Sequence, residues 1–600
     1  MTQHIRRSQF IFTYGPGAIL EGPDGPRVIL MPDIGLFSTG SLLPDSYEVS
    51  DQRMSQGLLN GARIFRLPSN AELQKTADQY VYRTKPFPVW KLCLNMPAHG
   101  GDFYVLYRES SCPICKVAGR RGREAIRFIK ACPAGHMDEV DWYVLAHGND
   151  HSCKHQKWFK WFGGGGSLAN IEIECPECGS REISLGTAYG IDWNCTGRFP
   201  EREPPDSPPY RPGCEKKAKI IQRQASNLRI PELLTLFTIP PRYTRLHNLL
   251  QIRPVLYSIM VNRPTSKQQL EQYLHTFVQR KIISESDANE ILSYPWSEIS
   301  EAIEAVLTPV QNSYRSLILE EFHEFIKGSL HGIPPVRGSR PKSPVLVEIN
   351  PHLVKRFTGP NGTVFRVTPV LRLRTVTVQR AYRREVDTQF TSTPVDVSFP
   401  DPRDPQQRWY PGVEFFGEGI FIILDDNDGW ISGLSGTAAD HWLKSFSNPY
   451  RYRDVSHLFR DPSNMEELHP VFVWWHTLSH LLIRVIAAEA GYSSASIRER
   501  IYFETDGARI RGGILLYATQ PGTEGTLGGL IALVPHMGSL LQVAFQEAEV
   551  CSGDPLCIQH QFRDGEYNGA ACYSCLLLSE TSCEHRNMWL DRTILLENLP

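Results

Sequence analysis

The chain has 600 residues, 41% apolar and 21% charged, a composition typical of a globular protein and not of a disordered one. Lys and Arg number 63 against 65 Asp and Glu, so the net charge is −2 and excludes an overall positive field that would attract nucleic acid. Any nucleic-acid contact must come from local patches or from a partner. The length predicts about four domains.

Residues 1–100 mix short apolar runs with glycine and proline, for example at 14–18 and 28–31, and predict a mostly β region. The N-terminus leads into a short apolar stretch at 10–14 that is neither a signal peptide nor a membrane span. No later stretch reaches about 18 uninterrupted apolar residues. With thiols at metal-binding spacing, these features predict a cytoplasmic protein without a membrane segment.

Residues 101–220 contain the same cysteine spacing twice. Cys112 and Cys115 form a C-P-x-C pair followed by sixteen residues and Cys132, and the same interval separates the pair Cys175 and Cys178 from Cys195. Two thiolates two positions apart, joined by a later ligand pair, are typical of a tetrahedral zinc site. The repeat therefore predicts tandem zinc-ribbon-like modules.

Each repeat needs a fourth ligand. For the first set, His136 is the expected fourth ligand, with Cys153 and His147 as alternatives. For the second, Cys214 completes four sulfurs without a competing histidine. The two predicted sets are Cys112, Cys115, Cys132 and His136, and Cys175, Cys178, Cys195 and Cys214. Both donor sets suit zinc.

Residues 221–340 are expected to be a helical region. Apolar positions three and four apart predict helices over 267–278, where Ser266 is the N-cap, and over 296–307 and 311–327. The Pro- and Gly-rich stretch 332–344 reads as a linker.

Residues 341–600 predict an α+β domain. Strands are expected at 345–349, 363–378, 419–424 and 513–517, and helices at 470–490 and 539–550. A glycine-rich turn at 522–529 separates the last strand from the last helix.

The C-terminal domain ends in a third cysteine cluster. The pair Cys572 and Cys575 is expected to bind zinc with Cys557 and Cys583, while Cys551 is a spare or an alternative ligand. Only Cys93 falls outside the clusters, and it reads as an ordinary small hydrophobic residue. Because protein ligands fill all three predicted sites, we expect three structural zinc ions and no catalytic metal.

Two motifs that suggest catalysis are incomplete. His476 and His480 are one helical turn apart as in zinc proteases, but Thr477 occupies the position of the catalytic glutamate, which favours a packed pair in a buried helix. Residues 137–141 loosely resemble a Walker B acid pair, but the sequence lacks the G-x-x-x-x-G-K-[ST] phosphate loop. We therefore expect no nucleotide hydrolysis by this chain.

Three segments contain chemistry suited to nucleic acid. Two are basic: residues 116–130, and the arginines at 372, 374, 380, 383 and 384. In the third, residues 154–162, cations alternate with aromatic side chains, as in surfaces that stack bases. Each segment is also compatible with a solvated face or a packed aromatic cluster. Taken together, the three segments leave two interpretations open: a nucleic-acid surface, or ordinary surface and core residues.

The chain resembles the DrmB family of the bacterial DISARM anti-phage systems. The resemblance rests on phrases spread along the chain, including residues 6–10 with 14–18, 127–136, 195–197, 476–480, 525–529, 551–557 and 570–592. Four-cysteine domains similar to the C-terminal one are found at the C-terminus of certain DNA-repair helicases. The resemblance implies a zinc-binding subunit without ATPase activity, which pairs with the helicase DrmA as a heterodimer and forms part of its DNA channel.

Two other functions are compatible with the residues. Asp425, Asp426 and Asp428 follow a predicted strand and could bind magnesium in a nuclease, provided that further carboxylates converge on them. A free-standing zinc DNA-binding protein is the second alternative, and the net charge does not favour it. The predicted architecture is a multidomain α+β protein with tandem zinc-ribbon-like modules, a helical insert and a C-terminal α+β zinc-binding domain.

Overall fold

The computed structural model describes residues 4–597 with gaps at 23, 37–46, 75, 77–79, 118–121, 151, 164–166, 241–244, 251, 308–312, 338–343, 387–391, 402–403, 435, 447–468, 492, 522–527, 563–566 and 580. Helices and sheets are mixed along the chain, as the composition and periodicity predicted. Most of the predicted glycine-rich turn at 522–529 lies outside the described residues.

The N-terminal segment contains short elements. They are α1 (Arg7–Phe12), β1 (Ile19–Gly22), β2 (Gly25–Ile29), α2 (Pro32–Gly35), α3 (Gln52–Leu58), β3 (Arg63–Phe65) and β4 (Thr84–Pro86). Strands β1, β2 and β4 form an antiparallel sheet, whereas β3 pairs in parallel with a strand more than 300 residues later in the chain. The N-terminal segment is therefore built into the C-terminal sheet.

Two small sheets carry the cysteine repeats. Their elements are β5 (Lys91–Cys93), β6 (Tyr104–Tyr107), β7 (Arg123–Ala125), β8 (Phe128–Ala131), β9 (Met137–Glu139), α4 (Trp142–His147), β10 (Trp158–Phe162), β11 (Glu172–Glu174), α5 (Leu185–Gly190), β12 (Trp193–Cys195) and β13 (Cys214–Gln222). One sheet has the order β11-β10-β6-β5-β7 and the other β12-β13-β8-β9. The two sheets share one hydrophobic core, which includes Leu106, Trp142 and Phe159.

The helical region follows β14 (Ile230–Phe237). Its helices are α6 (Arg245–Leu250), α7 (Arg253–Asn262), α8 (Lys267–Gln279), α9 (Glu285–Ser293), α10 (Trp296–Leu307) and α11 (Tyr314–His331). Helix α8 begins after Ser266, whose side chain accepts a hydrogen bond from the backbone of Gln269, as predicted. Helices α6 to α10 enclose a hydrophobic cluster of their own residues. We refer to residues 238–313 as the helical insert.

The ends of the helical insert meet at the sheet. Strand β14 ends at Phe237, and α11 starts at Tyr314, whose hydroxyl donates a hydrogen bond of 2.9 Å to the carbonyl of Thr235. Helix α11 then packs Phe322 and Phe325 against the large sheet. The chain thus leaves the sheet and returns to it at one place.

The large sheet dominates the C-terminal part. Its remaining strands are β15 (Ile333–Arg337), β16 (Val345–Ile349), β17 (Lys355–Thr358), β18 (Val364–Arg383), β19 (Val395–Asp396), β20 (Phe399–Asp401), β21 (Asp404–Leu424), β22 (Trp430–Ile431), β23 (Arg498–Asp506) and β24 (Arg509–Pro521). The antiparallel path β15-β16-β18-β21-β24-β22 is extended by β14, which pairs with β18, and by β3, which pairs with β21. The predicted linker at 332–344 begins with β15, whose two prolines are exposed in a strand that pairs with β16.

The C-terminal helices cover one face of this sheet. They are α12 (Thr437–Phe446), α13 (Pro470–Ala490), α14 (Met537–Glu549) and α15 (Arg592–Glu597). Among the described helices, residues 470–489 are long and apolar enough to cross a membrane, but 83% of that window is buried inside the protein. Its tryptophans and leucines pack on Phe365, Ile422 and Ile514 of the sheet. Helix α13 is therefore a core helix.

Candidate metal centres

All fourteen cysteines are free thiols, and each belongs to a group of four potential ligands whose donor atoms lie within 4.8 Å of one another. The groups are site 1 (Cys93, His99, Cys112, Cys115), site 2 (Cys132, His136, Cys195, Cys214), site 3 (His147, Cys153, Cys175, Cys178), site 4 (Cys551, Cys557, Cys572, Cys575) and site 5 (His476, His480, Glu499, Cys583). The sequence predicted metal-binding groups for most of the cysteines, and in the structure every cysteine belongs to such a group.

The measured separations fit a tetrahedral zinc ion. A Zn–S bond of about 2.3 Å implies sulfur atoms roughly 3.8 Å apart in a tetrahedron. The Sγ atoms are 3.6 Å apart for Cys93 and Cys115, and 3.7 Å apart for Cys153 and Cys175. In site 4 the Sγ atoms of Cys557 and Cys575 are 3.8 Å apart. Disulfide bonding needs about 2 Å, so these thiols are arranged for a cation.

Site 1 forms where the β5–β6 hairpin meets the first cysteine knuckle. Cys93 ends β5, and the Cys112 knuckle closes with a hydrogen bond of 3.0 Å from the Lys116 amide to the Cys112 carbonyl. The His99 Nδ1 atom lies 3.2 Å from the carbonyl of Phe103, which directs Nε2 toward Cys112 Sγ at 3.6 Å. Burial raises the pKa of Cys93 to about 12.

Site 3 repeats this arrangement at the second knuckle. The Gly179 amide donates to the carbonyl of Cys175 at 3.0 Å, as Lys116 does to Cys112. His147 ends α4, and its Nδ1 atom lies 3.0 Å from the carbonyl of Tyr143. Its Nε2 atom is buried and has no hydrogen-bond partner within the described residues, an arrangement that a metal ion would satisfy.

Site 2 lies on the second small sheet. Cys132 follows β8, Cys195 ends β12 and Cys214 begins β13, so the sheet brings three cysteines together. His136 Nδ1 lies 3.3 Å from Cys132 Sγ and 3.6 Å from Cys195 Sγ. A hydrogen bond from the Cys195 thiol lowers the pKa of Cys132 to about 4, and the same contact raises the pKa of Cys195. The shared proton thus favours the ionised form of Cys132 and the neutral form of Cys195.

The predicted grouping of the N-terminal ligands differs from the grouping in the structure. Cys132 and His136 lie with Cys195 and Cys214 and not with the Cys112 knuckle. The reason is that each knuckle belongs to the sheet with β5, β6, β10 and β11, whereas the third cysteine of each repeat belongs to the other sheet. The sixteen residues between each knuckle and the third cysteine therefore connect one sheet to the other and do not lie within one metal site. The alternatives Cys153 and His147 lie in site 3, beside the second knuckle.

Cys93 and His99 were missed by the sequence reasoning, and Cys93 is not an isolated hydrophobic residue. A signal was present: Cys93 and His99 are six positions apart upstream of the first knuckle, and His147 and Cys153 are six positions apart upstream of the second. The order of cysteine and histidine is reversed between the two pairs, so a search for identical spacing does not find them.

Site 4 is formed by cysteines alone. Cys551 lies 3.4 Å from Cys572, measured between Sγ atoms, so it takes the place that the sequence reasoning gave to Cys583. Burial opposes ionisation of Cys572, but hydrogen bonds led by that from the Cys551 thiol lower its pKa to about 6. Cys583 lies instead in site 5, with the histidine pair of α13.

The second basic segment is largely internal. Arg384 is fully buried and donates hydrogen bonds to Glu201 and to the carbonyls of Gly135, Gly17 and Leu228. Arg374, Arg380 and Arg383 form ion pairs with Glu414 or Glu232. Arg374, Arg383 and Arg384 thus join parts of the fold, whereas Arg380 is exposed beside its partner.

The other two segments also contribute to the fold. In residues 154–162, Phe159 and Trp161 are buried in the core and Lys160 forms an ion pair of 2.6 Å with Glu174. In residues 116–130, Lys130 is buried beside the Trp193 ring and the exposed Arg127 is paired with Glu124. Arg120 and Arg121 lie outside the described residues.

Two of the three acidic candidates, Asp425 and Asp428, are paired with arginines. Asp425 accepts hydrogen bonds from Arg356 at 2.7 Å and Arg366 at 2.5 Å, and Arg366 also pairs with Asp428. Burial would raise the pKa of Asp425, but these two hydrogen bonds lower it below its usual value. Asp138, in the stretch resembling Walker B, is likewise paired with Arg198 and Arg211. Asp138, Asp425 and Asp428 are thus engaged in ion pairs with arginine side chains.

Comparison with known proteins gives similarities at both ends of the chain. Residues 6–230 match a domain of unknown function, DUF8724, and residues 478–576 match the MrfA Zn-binding domain. The second match includes all four cysteines of site 4. The chain is 26% identical over 547 residues to the DISARM protein DrmB of Bacillus paralicheniformis, covering 86% of this chain and 89% of that protein.

Among solved structures, the DNA-bound DUF1998 helicase MrfA aligns with 34% of this chain and 20% of its own, at 8% identity and a TM-score of 0.19. This overlap is too small to support an argument about fold.

Proposed function

This chain is a relative of the DISARM protein DrmB, and from that relationship we propose that it is the zinc-stabilised, non-ATPase subunit of a bacterial anti-phage helicase complex. Its partner is a DrmA-type superfamily 2 helicase, bound as a stable heterodimer in the cytoplasm. In the complex, this chain completes the channel through which DNA passes, and the zinc ions hold its shape.

The observation that carries this proposal is the extent of the similarity. It covers 86% of this chain and 89% of DrmB, and is therefore not limited to a shared zinc module. Two proteins that align along nearly their whole length share an architecture, and a shared architecture favours a shared role.

The chemistry of the chain supports an accessory role. The sequence has no phosphate loop for ATP. Each of sites 1 to 5 offers four protein ligands, which is typical of structural zinc and leaves no position for a reacting water. Two of the three acidic candidates for a nuclease, Asp425 and Asp428, are paired with arginines. A scaffold for a separate motor fits these features better than an enzyme does.

The charge distribution supports DNA contact through the complex. The net charge is −2, and three of the arginines that the sequence suggested for DNA binding, Arg374, Arg383 and Arg384, are largely buried in ion pairs. Phosphate contacts by Lys and Arg dominate nonspecific DNA affinity. The near-neutral net charge and these buried arginines therefore favour a channel shared with the motor over a free-standing DNA-binding protein.

Co-expression with a DrmA-type helicase tests the proposal. The tagged helicase should retain this chain through gel filtration as one peak of the summed mass, since permanent complexes bury well over about 2,000 Å². A matched control is the variant Ser574→Ala, on the exposed face of the site 4 knuckle, compared with Cys572→Ser, which removes a zinc ligand. We expect the control to bind fully and Cys572→Ser to bind weakly, because loss of a thiolate undoes metal-coupled folding.

Two separate peaks at micromolar concentrations of both wild-type proteins would contradict the heterodimer. Cleavage of DNA by the pure chain with magnesium, abolished in Asp425→Ala, would contradict the accessory role.

A further inference from the structure

Site 5 lies at the centre of the C-terminal part and is distinct from the four-cysteine site 4. His476 and His480 are on α13, Glu499 is on β23, and Cys583 lies in the loop that follows site 4. The two histidines and Glu499 are fully buried, and Cys583 is 5% exposed. The match to the MrfA Zn-binding domain ends at residue 576 and begins at 478, so it includes neither His476 nor Cys583.

Backbone groups orient both imidazole rings. His480 Nδ1 donates to the carbonyl of Leu576 at 2.9 Å, and His476 Nδ1 donates to the carbonyl of Trp589 at 3.3 Å. A carbonyl can only accept, so in each ring the hydrogen is on Nδ1 and the lone pair of the neutral ring is on Nε2. Metal-binding histidines are oriented by contacts of this kind.

The two Nε2 atoms and the other two donors converge. His476 Nε2 lies 2.9 Å from Glu499 Oε1 and 3.2 Å from Cys583 Sγ, and His480 Nε2 lies 3.2 Å from the same Glu499 oxygen. The second oxygen of Glu499 accepts a hydrogen bond from Ser479, which leaves Oε1 directed at the histidines. A tetrahedral ion with bonds of about 2.0 Å to nitrogen and oxygen would place such donors roughly 3.3 Å apart.

The charges of the site need a cation. Two Nε2 lone pairs, a carboxylate oxygen and a sulfur face one another in the protein interior, and they repel unless protons or a metal ion lie between them. Protons on both rings would place two imidazolium ions against one carboxylate in the protein interior, a costly net charge. A divalent ion with one carboxylate and one thiolate is neutral overall.

We propose that His476, His480, Glu499 and Cys583 bind a structural zinc ion in addition to the ion expected at site 4. Two imidazoles, a thiolate and a carboxylate are all ligands that zinc accepts, and a closed shell of four protein ligands is the structural arrangement. The ion joins α13, β23 and the C-terminal loop. The glutamate that the H-x-x-x-H sequence lacks at position 477 is supplied by the neighbouring strand, but as a ligand and without an open position for water.

The ion also connects site 5 to site 4 along the chain. Leu576, whose carbonyl orients His480, directly follows the site 4 ligand Cys575, and Cys583 is seven positions further. Two adjacent metal ions thus hold a segment that has little regular secondary structure in its described residues. This inference rests on geometry within the chain and is independent of the proposed helicase partner.

Zinc analysis of intact protein, grown with added zinc and purified without chelator, tests the inference. Cys583→Ser and Glu499→Gln should each lose one zinc equivalent per chain relative to wild type. The matched control is Ser582→Ala, which removes the buried hydrogen bond of 2.6 Å from Ser582 to the carbonyl of Ser494 but no ligand. It should keep the full zinc content, and unchanged zinc content in both ligand variants would overturn the site.

A measurement on the wild-type chain avoids dependence on variants that fail to fold. Anomalous diffraction at the zinc edge should give one peak between the four donors of site 5 and a second among the sulfurs of site 4. A hydrogen-bonded cluster without metal would give a peak at site 4 and none at site 5, and that result overturns the inference. A peak at site 5 at the iron edge alone would overturn the zinc assignment.

Discussion

Cys93 shows how a residue's role depends on neighbours that the sequence does not place. Its thiol lies 3.6 Å from Cys115 because β5 pairs with β6, which leads into the knuckle. Local spacing detected the two knuckles and three of the four cysteines of site 4, because those ligands are close in sequence, but it chose Cys583 in place of Cys551. It did not detect ligands brought in by sheet pairing, such as Cys93, or by packing of a helix on a strand, such as Glu499.

Cys93→Ser should lose one zinc equivalent and destabilise the first small sheet, because serine is a poor zinc ligand. The matched control is Val105→Ala, at the position paired with Cys93 on β6. It removes buried apolar surface, at a cost of roughly 2 kcal/mol, but no ligand. Zinc content by elemental analysis and unfolding by denaturant separate the two effects. Equal zinc content in both variants would mean that Cys93 is not a zinc ligand and acts only as a small hydrophobic residue.

Arg384 joins three parts of the fold through one guanidinium group. Arg384→Ala should destabilise the protein by about 3–5 kcal/mol, since it leaves Glu201 as a buried charge without its ion-pair partner. Arg380→Ala is the matched control: its side chain is 44% exposed, and its pair with Glu232 should contribute under about 1 kcal/mol. Denaturant unfolding at neutral pH measures both. Similar losses in the two variants would contradict the assignment of Arg384 as a buried anchor.

At the scale of elements, strong periodicity predicted long segments well. The structure has helices at Pro470–Ala490 and Trp296–Leu307 and a strand at Val345–Ile349, with the bounds expected from the sequence. Strands β18 and β21 are longer than expected, since burial on both faces extends an apolar run beyond the residues that alternate. The short strands of the two small sheets were not predicted, because three to five residues carry too little pattern.

The strands that carry sites 1 to 3 are too short to be stable without their ligands. Most have three to five residues, and isolated strands of this kind are marginal in water. Removal of zinc with a strong chelator should therefore raise amide hydrogen exchange over residues 91–222, while β18 and β21 stay protected by their buried core. Mass spectrometry of exchanged peptides measures this. Uniform loss of protection along the whole chain would mean that zinc holds the entire fold as one unit.

At the scale of the whole molecule, the large sheet unites segments that the predicted domain boundaries at 100, 220 and 340 separate. Strand β3 comes from the first segment and β14 from the third, and both pair with strands beyond residue 341. Sequence reasoning divides a chain by changes in composition, and those changes do not record which strands pair across long distances. The predicted domain boundaries stay a prediction.

The chain alone should bind DNA weakly. With a net charge of −2 and many arginines in ion pairs, we expect a dissociation constant for DNA of about 10⁻⁴ M at physiological salt, the weak end of nonspecific binding. The complex with a DrmA-type helicase should bind at least about tenfold more tightly. Fluorescence anisotropy with a labelled duplex, with the helicase alone as control, measures both. Tight, salt-sensitive binding by the isolated chain would favour the free-standing DNA-binding alternative.

The meeting of the two ends of the helical insert has a consequence for how this protein tolerates change. Tyr314 contacts Thr235, and helices α6 to α10 pack on their own core. The helical insert (residues 238–313) is therefore an insertion whose two ends lie close together on the large sheet. A short glycine-serine bridge across that junction should leave the remaining protein able to fold. For the same reason, the helical insert can change in length or sequence during evolution while the fold of the large sheet is preserved.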